Sequence, residues 1–199
     1  MTLESLLPLI LFALVSTITP GGATTLATAS GAHFGFRRSI PVMAGFALGL
    51  GSMAGAAAAG LGSLLLAFPA LQIAMKTLGT LYLLWLALRI GRSGQPNSAG
   101  GMAKPTSFAA GVWMLWHNPK GWAVTVGAAA SFAMLASGPL ALAMLLGLTF
   151  SLMAAFSLSL WCALGQLLAR MLRAQWQWRA LNLVLALLLV VSIISLWSD

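Results

Sequence analysis

Six long apolar runs, at approximately 5–29, 40–68, 70–90, 106–134, 139–169 and 179–197, fill most of this chain and leave only short gaps between them. A helix needs about 20 apolar residues to cross a bilayer core. Open sheets cannot satisfy their backbone groups in lipid, so runs of this length and apolarity predict helices. Three of the gaps hold eight of the ten basic residues: Arg37 and Arg38 in the first, Arg89, Arg92 and Lys104 in the second, Arg170, Arg173 and Arg179 in the third. Basic residues flanking apolar spans stay on the cytoplasmic side. The gaps between, around Phe68-Pro69 and Ser137-Gly138-Pro139, carry no charge and fit the outer face. The pattern predicts an all-α polytopic membrane protein with six transmembrane helices and both termini outside.

With 60% hydrophobic and 6% charged residues, the chain lies far from soluble-domain composition. Its net charge of +8 comes with no basic stripe interleaved with aromatics on a polar surface, which argues against nucleic acid. The first run lacks a basic leader and a small-residue cleavage site and reads as a retained span. Cys162 is the single cysteine, which excludes an intrachain disulfide and a dithiol relay; inside an apolar run it reads as a packing residue.

The stretch 91–105 (GRSGQPNSAGGMAKP) is the only linker-like segment. It divides a single transmembrane domain, 1–199, into two sets of three spans, 1–90 and 106–199, with a cytoplasmic linker between them. One set starts outside and the other inside, so the halves run in opposite orientations, the topology of an inverted repeat. Gly45-x-x-x-Gly49 and Gly51-x-x-x-Gly55 lie in the second run. Such spacing lets helix backbones approach closely, and packing within one bundle is the simpler reading, with a homo-oligomer the alternative.

Each half contains one helix-breaking site. Thr19-Pro20-Gly21-Gly22 interrupts the first run and His117-Asn118-Pro119-Lys120-Gly121 the fourth. Proline removes a backbone donor and frees carbonyls, and the adjoining glycine permits unwinding. At 1.5 Å per residue, each proline lies roughly 20 Å inside its run, the two entered from opposite faces. Interrupted segments in corresponding positions of two halves point to a transporter's binding site. The hydroxyls around the first break, Ser16, Thr17, Thr19, Thr24, Thr25 and Thr28, either meet a polar solute or bond back to helix carbonyls.

Lys120 is a cation far from either end of its run, a placement that marks function. It is expected to hold a substrate carboxylate, change protonation, or pair with carbonyls at the break; snorkelling is the structural alternative. Lys76, about five residues inside the third run, reads as snorkelling to the surface. His117 is either a proton carrier or a packing residue. Glu4 and Asp199 are the only acids, so proton coupling would have to use histidine, lysine, water or the substrate. With no paired carboxylates, Cys/His cluster or triad, the chain is not expected to be an enzyme or to hold a cofactor or metal. Trp176 and Trp178 beside the third basic gap, and Trp197 at the other end, read as interfacial anchors.

In this order and spacing the motifs carry a resemblance. They are Thr19-Pro20-Gly21, Gly31, Gly35-Phe36-Arg37, Ala44-Gly45-x-x-x-Gly49, Leu78-Gly79-Thr80-Leu81-Tyr82-Leu83 with Trp85-Leu86 behind Lys76, and Asn118-Pro119-Lys120. The chain resembles the LysE/RhtB superfamily of bacterial amino-acid exporters over its whole length. Ala103-Lys104-Pro105-x-Ser107-Phe108 and the stretch from Leu181-Asn182 to Leu189 look closest to its cysteine and O-acetylserine efflux branch. The resemblance implies a multi-pass protein of the bacterial inner membrane that exports amino acids or related metabolites, driven by the proton-motive force. The family commonly continues Thr-Pro-Gly with Pro-Asn or Pro-Asp, where this chain has Gly22-Ala23, so a polar side chain is missing from the first break. The expected substrate path comprises Thr19, Pro20, Gly21, His117, Asn118, Pro119 and Lys120, with a small molecule and the lipid bilayer as partners. The rival readings are a passive channel of the same topology and a non-transporting subunit of a membrane complex.

Overall fold

The computed structural model describes residues 3–61, 67–93 and 104–197. Most of the linker expected at 91–105, the tail of the second run and Asp199 lie outside the described residues, as do the side chains of Glu4 and Trp197. The described residues form helices and no strand: α1 (Leu3–Ile18), α2 (Gly22–Phe34), α3 (Phe36–Ala56), α4 (Pro69–Gly91), α5 (Phe108–Trp116), α6 (Pro119–Ser131), α7 (Pro139–Met171) and α8 (Gln175–Trp197). A π turn, Ala57–Leu61, extends α3, and a 3₁₀ turn, Ala133–Leu135, follows α6. By length and apolarity, the helix from Phe36 to Leu61 and α7 can each cross a bilayer, and α1 with α2, bent by 60°, has the length and apolarity of either a broken span or a re-entrant loop.

The first expected gap is shorter than the sequence pattern implies. α2 runs on to Phe34 and α3 starts at Phe36, so the connection is Gly35 alone. Its φ of +78° is open to glycine, and its N–H caps the Gly31 carbonyl. Arg37 and Arg38 therefore begin a helix and are exposed on its first turn, not in a loop. Arg89 and Arg170 lie in the last turns of α4 and α7, where cations complement the helix dipole.

The basic gaps converge on one end of the bundle. His33 Nε2 donates to Asn182 Oδ1 at 3.1 Å, while Asn182 Nδ2 donates to the Ser93 carbonyl at 2.8 Å. Three segments distant in sequence, each next to arginines, thus meet around one buried amide. Gln166 of α7 accepts from the Phe36 N–H at 3.3 Å and adds a fourth. Trp178 belongs to this cluster: it is 3% exposed and packs edge-on against His33, ring centres 5.6 Å apart. That corrects its reading as an interfacial anchor; Trp176 is 70% exposed.

Small residues set the helix spacing. On α3, Gly45 and Gly49 face α5, and Gly51 and Gly55 face α7, so both motifs pack within one bundle. A Cβ on Gly31 would overlap the backbone of Cys162, and one on Gly165 the backbone of Thr28, so α2 and α7 touch main chain to main chain. Cys162 is buried in that contact, as a packing residue would be.

Candidate functional site

Pro20 has no N–H to offer the Ser16 carbonyl, and the chain turns away after Thr19. The Gly21 N–H, which would have continued the helix, bonds Thr24 Oγ1 at 2.8 Å; that hydroxyl returns its proton to the Gly21 carbonyl at 3.0 Å. The carbonyls of Thr17 and Ile18 lose their usual partners and are served by another helix. Ser157 Oγ donates to Thr17 O at 2.8 Å, and Trp161 Nε1 to Ile18 O at 3.1 Å. Ser157 and Trp161 are one turn apart on α7, so a single helix face caps the end of α1. Thr17, Thr19 and Thr28 bond back to carbonyls of their own helices.

The second break is held by its own neighbours. Asn118 Oδ1 accepts from the Lys120 N–H at 3.1 Å, a side-chain N-cap with Pro119 in the first turn of α6. That diverts the donor due to Trp116 O, which instead accepts from Trp122 Nε1 at 2.9 Å. Trp116 Nε1 in turn donates to Ser52 Oγ of α3 at 3.0 Å. His117 Nδ1 lies 2.8 Å from the Trp113 carbonyl. A carbonyl only accepts, so Nδ1 carries the proton in this arrangement.

The two breaks, about a hundred residues apart in sequence, face one another across a cavity. Thr19 and Gly21 line one side, Asn118 and Lys120 the other, and Phe46, Leu50 and Leu158 form apolar walls. A Cβ on Gly21 would stand 3.8 Å from Lys120 Nζ, so the ammonium reaches across to the first break. Lys120 is half-buried and is the one ionisable residue among the described residues on this wall. Pro20 makes its break without lining the cavity. His117 and Pro119 face elsewhere, into a second pocket with Gly79 and Tyr82; Asn118 borders both. A Cβ on Gly79 would come 2.6 Å from the His117 carbonyl, which explains a glycine where α4 presses on the break. Lys76 is half-buried in α4 and lines neither pocket.

Among the described residues no group of three or more His, Cys, Asp or Glu side chains could hold a metal ion. What the arrangement offers chemically is one cation, several hydroxyl and amide groups and two helix ends, facing a largely apolar chamber. Sequence reasoning missed Ser157, Trp161 and Trp122, which hold the breaks in place. The available signal was Ser157-x-x-x-Trp161, two hydrogen-bond donors on one face deep in an apolar run.

A family model described as LysE type translocator matches residues 14–197. Curated relatives are 32% identical over 180 residues, covering 90% of this chain and 90% of theirs. They include the cysteine/O-acetylserine efflux proteins of Escherichia coli (strain K12) and Shigella flexneri serotype 5b (strain 8401). No solved structure matches the chain.

Proposed function

The chain belongs to the LysE type translocator family, and on that premise we propose that the cavity between its two helix breaks is the path by which it exports amino acids or related small metabolites. It is an integral membrane transporter and not an enzyme. The reading places it in the bacterial inner membrane, with six spans, both termini outside, and two inverted three-helix units, 1–90 and 106–199. Its relatives' efflux of cysteine and O-acetylserine makes small, uncharged-side-chain amino acids the first substrates to test.

The observation that carries the proposal is Lys120 Nζ reaching toward Gly21 across the cavity. A substrate carboxylate would pair with the Lys120 ammonium, and the Asn118 amide and Thr19 hydroxyl would complete a polar end. The apolar walls would take the side chain. Discontinuous helices that point their ends at a substrate are a recurrent transporter device. The proton-motive force is the proposed driver. With both acids at the chain termini, His117, Lys120, water or the substrate would carry the proton.

Lys120→Ala should abolish export while membrane abundance stays at the wild-type level. The measurement is efflux of labelled amino acid from loaded cells, with quantitative immunoblotting of membranes. Normal efflux from the variant would remove the site assignment. Collapse of uphill export by an uncoupler would separate driven transport from a passive channel.

A further inference from the structure

Every α-helix ends on four carbonyls that have no partner inside the helix. At the end of α1 these belong to Val15, Ser16, Thr17 and Ile18. Val15 O accepts the Thr19 N–H at 3.2 Å and the Thr19 hydroxyl at 2.6 Å. Ser157 Oγ serves Thr17 O, and Trp161 Nε1 serves Ile18 O. The Ser16 carbonyl is due the N–H of residue 20, which is proline, and the next N–H along, that of Gly21, is taken by Thr24. Among the described residues it therefore has no donor. The Ser16 hydroxyl is open as well: Thr17 and Thr19 bond back to carbonyls of α1, and among the described residues Ser16 does not. Ser16 is half-buried on the wall of the cavity that also holds Lys120.

A carbonyl only accepts, and the C-terminal end of a helix carries partial negative charge, so a stranded carbonyl there favours a cationic donor. Unwound carbonyls at broken helices coordinate cations in other transporters. The sequence has no acid between Glu4 and Asp199, so no carboxylate in the cavity competes for that role. The opposite charge is close by. Lys120 stands in the first turn of α6, and its Nζ would be 3.8 Å from a Cβ on Gly21, a few residues along the chain from Ser16. An α-amino acid carries its ammonium and carboxylate on adjacent carbons, so one small chamber has to meet both.

We infer that Ser16 is a substrate-binding residue: its stranded carbonyl, with its hydroxyl, seats the α-ammonium of the amino acid whose carboxylate pairs with Lys120. This deepens the transport reading and rests on it. The cavity then selects for the zwitterion. An α-hydroxy acid keeps the carboxylate for Lys120 but brings no cationic N–H to the Ser16 carbonyl, and the charge-assisted bond is lost. Pro20 acts through that carbonyl, by withholding the N–H that would fill it.

The test uses purified full-length protein in liposomes loaded in turn with labelled L-cysteine, L-norvaline and L-2-hydroxyvalerate, with leakage from protein-free liposomes subtracted. Norvaline and 2-hydroxyvalerate share one carbon skeleton and differ at the α-carbon, by an ammonium or a hydroxyl. Norvaline should exit roughly tenfold or more faster, the scale of a lost hydrogen bond to a charged group. Pro20→Ala offers the Ser16 carbonyl an N–H from its own chain, and Ser16→Ala removes the hydroxyl. In both the norvaline-to-hydroxyvalerate ratio should fall, further in Pro20→Ala. A merely structural role would lower all rates together and leave the ratio unchanged. Hydroxyvalerate leaving wild-type liposomes as fast as norvaline would overturn the inference. So would an unchanged ratio in both variants, which would mean that the carbonyl holds only water; should Pro20→Ala fail to fold, Ser16→Ala decides. If neither amino acid leaves faster than from protein-free liposomes, the transport reading falls and takes this inference with it.

Discussion

The two breaks solve one problem in different ways. Each diverts a backbone N–H to a side-chain cap, Gly21 to Thr24 and Lys120 to Asn118. Each also gives a stranded carbonyl an indole donor, Trp161 to Ile18 and Trp122 to Trp116. At the second break the cap and the indole both come from within a few residues, so local sequence writes its geometry. At the first break the indole arrives from α7, 143 residues away. The first break therefore depends on α7 for its indole donor, whereas the second finds its own within a few residues.

That contrast can be broken at several points. The largest effect should come from Gly79→Leu, which drives a side chain into the His117 carbonyl. Overpacking of this kind costs about 3 kcal/mol, and α4 would be pushed off the second break. The expected result is loss of export with a clearly lowered unfolding temperature in detergent. If the variant is as stable as wild type, the α4 contact does not support the break. Next comes Trp161→Ala, which strands the Ile18 carbonyl and removes buried indole surface. A loss of about 2 kcal/mol is expected, with backbone amide exchange speeding up around Thr17–Gly21 and staying unchanged around Asn118–Gly121. Equal acceleration at both breaks would show that they are coupled, not independent.

Asn118→Ala should do the converse on a smaller scale, at about 1 kcal/mol for a lost N-cap. Its amide-exchange signature belongs around Lys120 and leaves Gly21 untouched. The smallest effect is expected of Pro119→Ala. Restoring an N–H at position 119 offers the Leu115 carbonyl a second donor, but Asn118 still caps α6 and holds the bend, so stability should shift by less than about 1 kcal/mol. A helix that straightens through residue 119 would mean that proline, and not the asparagine cap, sets the break.

What was legible in the sequence follows from the same distinction. Prolines, glycines, a deep lysine and blocks of arginine are read one residue at a time, and they placed both breaks, the basic gaps and the family. The Asn118 cap was within reach for the same reason. Partners that meet only through tertiary packing left no local trace: Ser157 with Thr17, Trp161 with Ile18, His33 with Asn182. Trp178 shows the failure from the other side. Beside an arginine gap it carries the signature of an interfacial anchor, yet the His33 ring and the bundle end bury it. The boundary at Gly35 slipped because hydropathy marks where charge begins, while one left-handed glycine lets a helix restart directly under two arginines.

Between the cavity and the arginine-rich end, the seam of α2 and α7 is built of bare backbone at Gly31 and Gly165. At those two contacts no bulky side chain stands to rotate out of the way, as one would in a gate of aromatic or branched residues. Widening the seam means sliding or tilting two rods against each other along their whole shared length. Access from that end is consequently a question of collective motion, on the microsecond-to-millisecond scale of moving helices, and not of rotamer flips.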